Sequence, residues 1–119
     1  MSKCSFYRWV YSRAVGRQVA VKTEGGKFET KDGFIMYYYK SANHDSGTYE
    51  YTVILPSVGM SICSAPKLKD AKALTEEYMP KLLEKCLSPD FITKEKRFIE
   101  LVAEAEERER FGTEPITFQ

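Results

Sequence analysis

Histidine is nearly missing from this chain: a single one, His44, stands among 119 residues. A histidine-rich metal site and an H-E-x-x-H zinc helix are therefore excluded. Cysteine is sparse and odd in number. Cys4, Cys63 and Cys86 lie far apart, with no C-x-x-C pair among them. A disulfide scaffold and a zinc ribbon do not fit that spacing, and a reducing compartment does. No stretch approaches the roughly 20 consecutive apolar residues of a membrane span, and Arg8 and Arg13 interrupt the N-terminus before a leader-like apolar run develops. The expected location is the cytoplasm.

Phosphate-cradling glycine motifs are lacking as well. Gly25-Gly26 has neither a following helix nor a Lys-Ser/Thr pair, so it reads as a hairpin turn rather than a P-loop. Net charge is close to absent at +1, although it is unevenly spread. Residues 1–66 carry eight Lys/Arg against five Asp/Glu, and residues 67–119 carry ten against twelve. Neither half has the strong basic surplus of a dedicated nucleic-acid binder.

Aromatic residues are present in quantity: eight Tyr, seven Phe and one Trp, many of them crowded into residues 6–11 and 34–39. These runs alternate. In SFYRWVYSR (5–13), Phe6, Arg8, Val10 and Ser12 point one way and Tyr7, Trp9 and Tyr11 the other. Strands are also predicted at 17–23, at 27–30 after the Gly25-Gly26 turn, at 34–40 after Asp32-Gly33, at 48–55, and at 60–64 after Pro56-Ser57-Val58-Gly59. Residues 41–47 read as a polar loop. From Pro66 the period changes to that of an amphipathic helix, with Leu68, Ala71, Thr75, Tyr78 and Leu82 on one stripe and Pro80 inside it. Ser88-Pro89 then signals a new N-cap, and Phe91, Ile92, Phe98, Leu101, Val102 and Ala105 form the next buried stripe.

The predicted fold is therefore α+β and a single domain. An antiparallel meander of about six strands (5–64) precedes two helices, about 67–87 with a break near Pro80, and 89–110. Gly112 is the expected helix stop, with a strand or tail over 114–119.

Catalytic chemistry has few carriers. His44, Asp45 and Ser46 are adjacent in a loop, and neighbours in sequence do not build a Ser–His–Asp relay. The acidic residues Glu76, Glu77, Glu84, Glu100, Glu104, Glu106, Glu107 and Glu109 alternate with Lys and Arg on the helices, as solvated faces do. Neither an enzyme nor a cofactor is expected. Two features point instead to binding. The sheet offers Arg8, Trp9, Tyr11, Arg13 and Tyr38, and the last helix ends in Arg108, Arg110 and Phe111. Aromatic faces beside guanidinium groups suit a protein partner, or a nucleobase with its phosphate. Two helices are too few to cover both faces of such a sheet, so an open aromatic face and a homodimer are expected.

Within residues 34–79, Tyr51-Thr52-Val53-Ile54-Leu55-Pro56, then Gly59, then Lys67-Leu68-Lys69-Asp70-Ala71, resembles the "Y-x-V-x-x-P", turn and "T-x-x-E-A" layout of HicB-type antitoxins. That resemblance implies a strand–strand–helix core and a toxin-binding role. Residues 1–33 and the second helix have no counterpart in that family. As a short, aromatic-rich β-then-α chain, the protein also resembles accessory proteins of bacteriophages and mobile elements. This likeness implies a non-enzymatic factor that inhibits host immunity by occluding a defence protein or sequestering a nucleotide second messenger. A nucleic-acid-binding module on the sheet is the alternative.

Overall fold

The computed structural model describes residues 4–43 and 47–110. The alternating runs become β1 (Cys4–Ser12), β2 (Arg17–Glu29), β3 (Ile35–Asn43), β4 (Thr48–Leu55) and β5 (Met60–Ala65), followed by α1 (Leu68–Cys86) and α2 (Pro89–Arg110). Every pairing is antiparallel and the sheet order is β1-β2-β3-β4-β5. The expected α+β meander followed by two helices is present, with five strands instead of six.

The missing strand boundary is at Gly25-Gly26. These residues lie inside β2 and make no turn. Up to Gly25, β2 pairs with β1; from Gly26 it pairs with β3. A Cβ on Gly25 would overlap the carbonyl oxygen of Tyr38, and one on Gly26 would overlap the Tyr38 phenol ring. The glycines thus serve a close approach of two backbones where the strand changes partner. The true hairpin is at Asp32-Gly33, where Gly33 has φ +88 and Thr30 N–H donates to the Phe34 carbonyl at 2.8 Å. β3 also runs on through Ser41-Ala42-Asn43, which composition alone assigns to a loop.

Beyond that pivot the β1–β2 ladder folds back over β3. Phe6 of β1 stacks on Tyr37 of β3 with ring centroids 4.8 Å apart and planes parallel. In a flat sheet, strands two apart sit roughly 10 Å from each other. Arg8 donates to the Tyr39 hydroxyl at 2.9 Å and to Thr23 Oγ1 at 2.7 Å, with its guanidinium 4.3 Å from the Tyr39 ring centre. The curl buries Phe6, Val19, Val21 and Ile54. Their cross-strand pairs, Val21 with Arg8 and Ile54 with Tyr37, set them on this inner face.

The outer face is divided between the helices. α1 packs on β3–β5 through Ala71, Thr75 and Met79 against Met36, Val53 and Ala65. α2 packs on β1–β2 through Phe98, Leu101 and Ala105 against Ala20, Tyr7 and Trp9. The shortage of cover implied by two helices is met by the sheet covering itself. Tyr37, Tyr38 and Tyr39 are all half-buried, while Tyr11 and Tyr49 are exposed.

α1 is continuous through Pro80, contrary to the expected break. Pro80 faces solvent, where water can reach the carbonyl freed at Glu76, and packing on both sides of it holds the helix in line. Ile92 is 46% exposed rather than buried, because the sheet-facing side of α2 runs through Phe91, Phe98, Leu101 and Ala105. No helix among the described residues is long and apolar enough to cross a membrane.

If the glycine pair serves close approach, Gly25→Ala should lower the unfolding free energy by about 1–3 kcal/mol. Gly26→Ala should cost less, since a phenol ring yields more easily than a backbone carbonyl. Urea denaturation of both variants measures this, and an unaffected Gly25→Ala would refute it.

Candidate functional site

Leu55 ends β4, and its carbonyl accepts from Val58 N–H at 3.3 Å and from Gly59 N–H at 2.8 Å. Gly59 has φ +64, and a Cβ there would enter the Phe98 ring. The turn is tied to the far edge of the sheet: Trp9 N–H donates to the Gly59 carbonyl at 2.8 Å. Trp9 in turn lies nearly parallel to Phe98 of α2, 6.2 Å between centroids. The β4–β5 tip, β1 and α2 therefore meet at one point.

Beside that point a cleft of about 490 Å³ opens between the β4–β5 hairpin and the two helices. Leu55, Val58, Met60 and Ile62 form its floor. A bulge between Val53 and Ile54 in the β4–β5 ladder leaves Ile62 without a cross-strand partner, so that it can turn toward the cleft. One wall is the α1 stripe Tyr78, Lys81, Leu82 and Lys85, spaced i, i+3, i+4, i+7. The other is Phe91 and Lys94 on the first turns of α2. Ser88 holds the walls at a fixed junction. Its hydroxyl donates to the Lys85 carbonyl at 2.8 Å and accepts from Phe91 N–H at 3.2 Å.

The cleft is electrostatically one-sided. Three lysines line it and no carboxylate does. Lys94 reaches Asp90 at 3.3 Å, an exposed pair of small worth. Lys81 and Lys85 pair with no carboxylate among the described residues. They also stand four apart on one helix face, an arrangement that costs an isolated helix about 0.2–0.5 kcal/mol. An apolar floor, two aromatic rings and three ammonium groups can hold an anion with an apolar or aromatic body. The described residues contain no group of His, Cys, Asp and Glu placed to hold a metal ion.

The site residues expected from sequence occupy several places. Arg8 is on the inner face of the curl, engaged with Thr23 and Tyr39. Trp9 is on the outer face under α2, its indole N–H donating to Gln18 Oε1 at 2.7 Å. Tyr11 and Arg13 are exposed at the β1–β2 end. Tyr38 packs between Phe28 and Tyr51 beneath α1. Arg108 and Arg110 end α2, and Phe111 lies outside the described residues, as do His44, Asp45 and Ser46. Sheet alternation sets Arg8 and Trp9 on opposite faces, so the structure does not bring the set together.

Lys81, Lys85 and Lys94 have no mark in the sequence that separates them from other helical lysines. The one local signal is Tyr78 and Leu82, whose α1 stripe Lys81 and Lys85 share. Near the sheet, Tyr7 donates to Glu109 at 3.4 Å, and burial, followed by the charges of Glu109 and Glu106, pushes its phenol above the ordinary value. Comparison of the chain with protein-family models, with curated proteins and with solved structures returns no match.

Replacing Lys81, Lys85 and Lys94 together by alanine should leave the fold intact, each change altering stability by no more than about 0.5 kcal/mol. Thermal unfolding checks this, and a collapse of stability would make the lysines structural. At Cys63, burial raises the thiol pKa, outweighing the lowering by its hydrogen bond to Thr75. A raised value means less thiolate at neutral pH. Disulfide-exchange labelling of Cys63 should therefore be slow at neutral pH and accelerate only above the ordinary thiol value.

Proposed function

We propose that the protein is a non-enzymatic binding protein whose working site is the lysine-lined cleft, and that it sequesters a nucleotide-type signal. The observation that carries this reading is the charge of the cleft: three lysines, two of them unpaired among the described residues, over an apolar floor with no carboxylate. The volume of about 490 Å³ lies in the range of small-molecule sites. Tyr78 and Phe91 offer faces on which a base can stack, and the ammonium groups suit phosphate oxygens as mobile point charges. In a phage or mobile-element setting, removal of such a signal would inhibit host immunity by mass action alone. A nucleic-acid platform on the sheet draws less support, since α1 and α2 lie on its outer face and Phe6 and Tyr37 fill the inner one.

Isothermal titration with cyclic dinucleotides and cyclic ADP-ribose isomers tests the proposal. The sole tryptophan, Trp9, is hydrogen-bonded to Gly59 beside the cleft and serves as a second reporter by fluorescence. Binding is expected to weaken with added salt and to fall at least about tenfold in the Lys81/Lys85/Lys94 triple alanine variant, a loss of about 1.4 kcal/mol. No binding by any of these nucleotides, or binding indifferent to the three lysines, would refute it.

A further inference from the structure

The side of α2 turned away from the sheet carries a second pattern that neither the cleft nor the core uses, save that the charge of Glu106, at its margin, reaches Tyr7. Ile92, Lys96, Ile99, Ala103, Glu106 and Arg110 follow one another at spacings of four, three, four, three and four. That is the period of a coiled-coil seam. All six are exposed, Ile99 at 64% and Ile92 at 46%. The buried residues Phe98, Leu101 and Ala105 face the sheet instead. Lys96, Glu106 and Arg110 form no ion pair among the described residues. From Ile92 to Arg110 the seam runs about 27 Å along the helix.

We propose that two copies of the chain associate through this seam, their α2 helices packed antiparallel about a twofold axis near residue 101. A second copy is the occupant because the seam is complementary to itself in that orientation and in no other. Antiparallel pairing about residue 101 places Ile99 opposite Ala103 of the second copy, Lys96 opposite its Glu106, and Ile92 along the aliphatic stem of its Arg110. Twofold symmetry makes each pairing twice. An apolar centre is thus flanked on both sides by opposite charges, and large Ile99 meets small Ala103. Parallel packing would instead set Lys96 on Lys96 and Glu106 on Glu106. Glu100 lies beside the seam close to the axis, where it would meet its own copy. Arg97 holds it at 2.8 Å and offsets that repulsion. Phe91 and Lys94 are on the sheet side of α2, so the cleft stays open in the dimer and the two sites are independent.

Sedimentation velocity over a concentration series is the test. The expected result is a reversible shift from 13.7 kDa toward twice that mass. Ile99→Asp should abolish the shift. Lys96→Glu alone and Glu106→Lys alone should each weaken association about tenfold or more, since each sets like charges face to face. The double variant Lys96→Glu/Glu106→Lys should dimerise again, because the swap restores opposite charges across the axis. Circular dichroism confirms that each variant keeps its fold, as substitutions at exposed positions should. A monomer at every soluble concentration, a dimer indifferent to Ile99→Asp, or failure of the folded double variant to recover would each overturn the proposal.

Discussion

The structure depends on one close approach, that of the β2 backbone at Gly25-Gly26 to Tyr38 of β3. A sheet rich in aromatics on both faces has a surplus of apolar surface, and two helices can hide only one face of it. Because no Cβ stands between the two backbones, β2 can leave β1 as its partner at one residue and take up β3 at the next. The β1–β2 ladder then swings over β3, and Phe6 finds Tyr37. Such stacks contribute about 0.5–1.5 kcal/mol beyond the area they bury. The larger gain is that the inner face needs no third helix.

Local chemistry makes the elements legible. Alternation in SFYRWVYSR by itself puts Arg8 and Trp9 on opposite faces, and Ser88-Pro89 marks the start of α2. The failures share one cause. Gly25-Gly26 is a turn signal when only its own φ preferences are weighed, and a strand interior when the neighbour pressing on it is known. Pro80 breaks an isolated helix but not one fastened to a sheet at Thr75 and Met79. Ile92 lies on a helix face that no other element reaches. In each case tertiary contact, which has no local trace, decides the outcome.

The cleft is hidden from the sequence for a related reason. Its walls come from residues 78–94 and its floor from the 55–62 hairpin; the packing of Met79 and Leu82 against Leu55 and Ile62 brings α1 to that floor, and the Trp9–Gly59 hydrogen bond with the Trp9–Phe98 pair brings α2. Its lysines look like any solvated helix face in sequence. Their lack of carboxylate partners is a property of the assembled surface.

The two walls of the cleft are attached to different parts of the molecule. α1 rides on β3–β5 and α2 on β1–β2; Leu87-Ser88 joins them along the chain, and Gly59 of the β4–β5 turn meets both Trp9 of β1 and Phe98 of α2. The gap between the walls is therefore set by the same contacts that hold the sheet rolled, the Trp9–Gly59 hydrogen bond among them. A body lodged there would touch both helices at once, and through them both halves of the sheet.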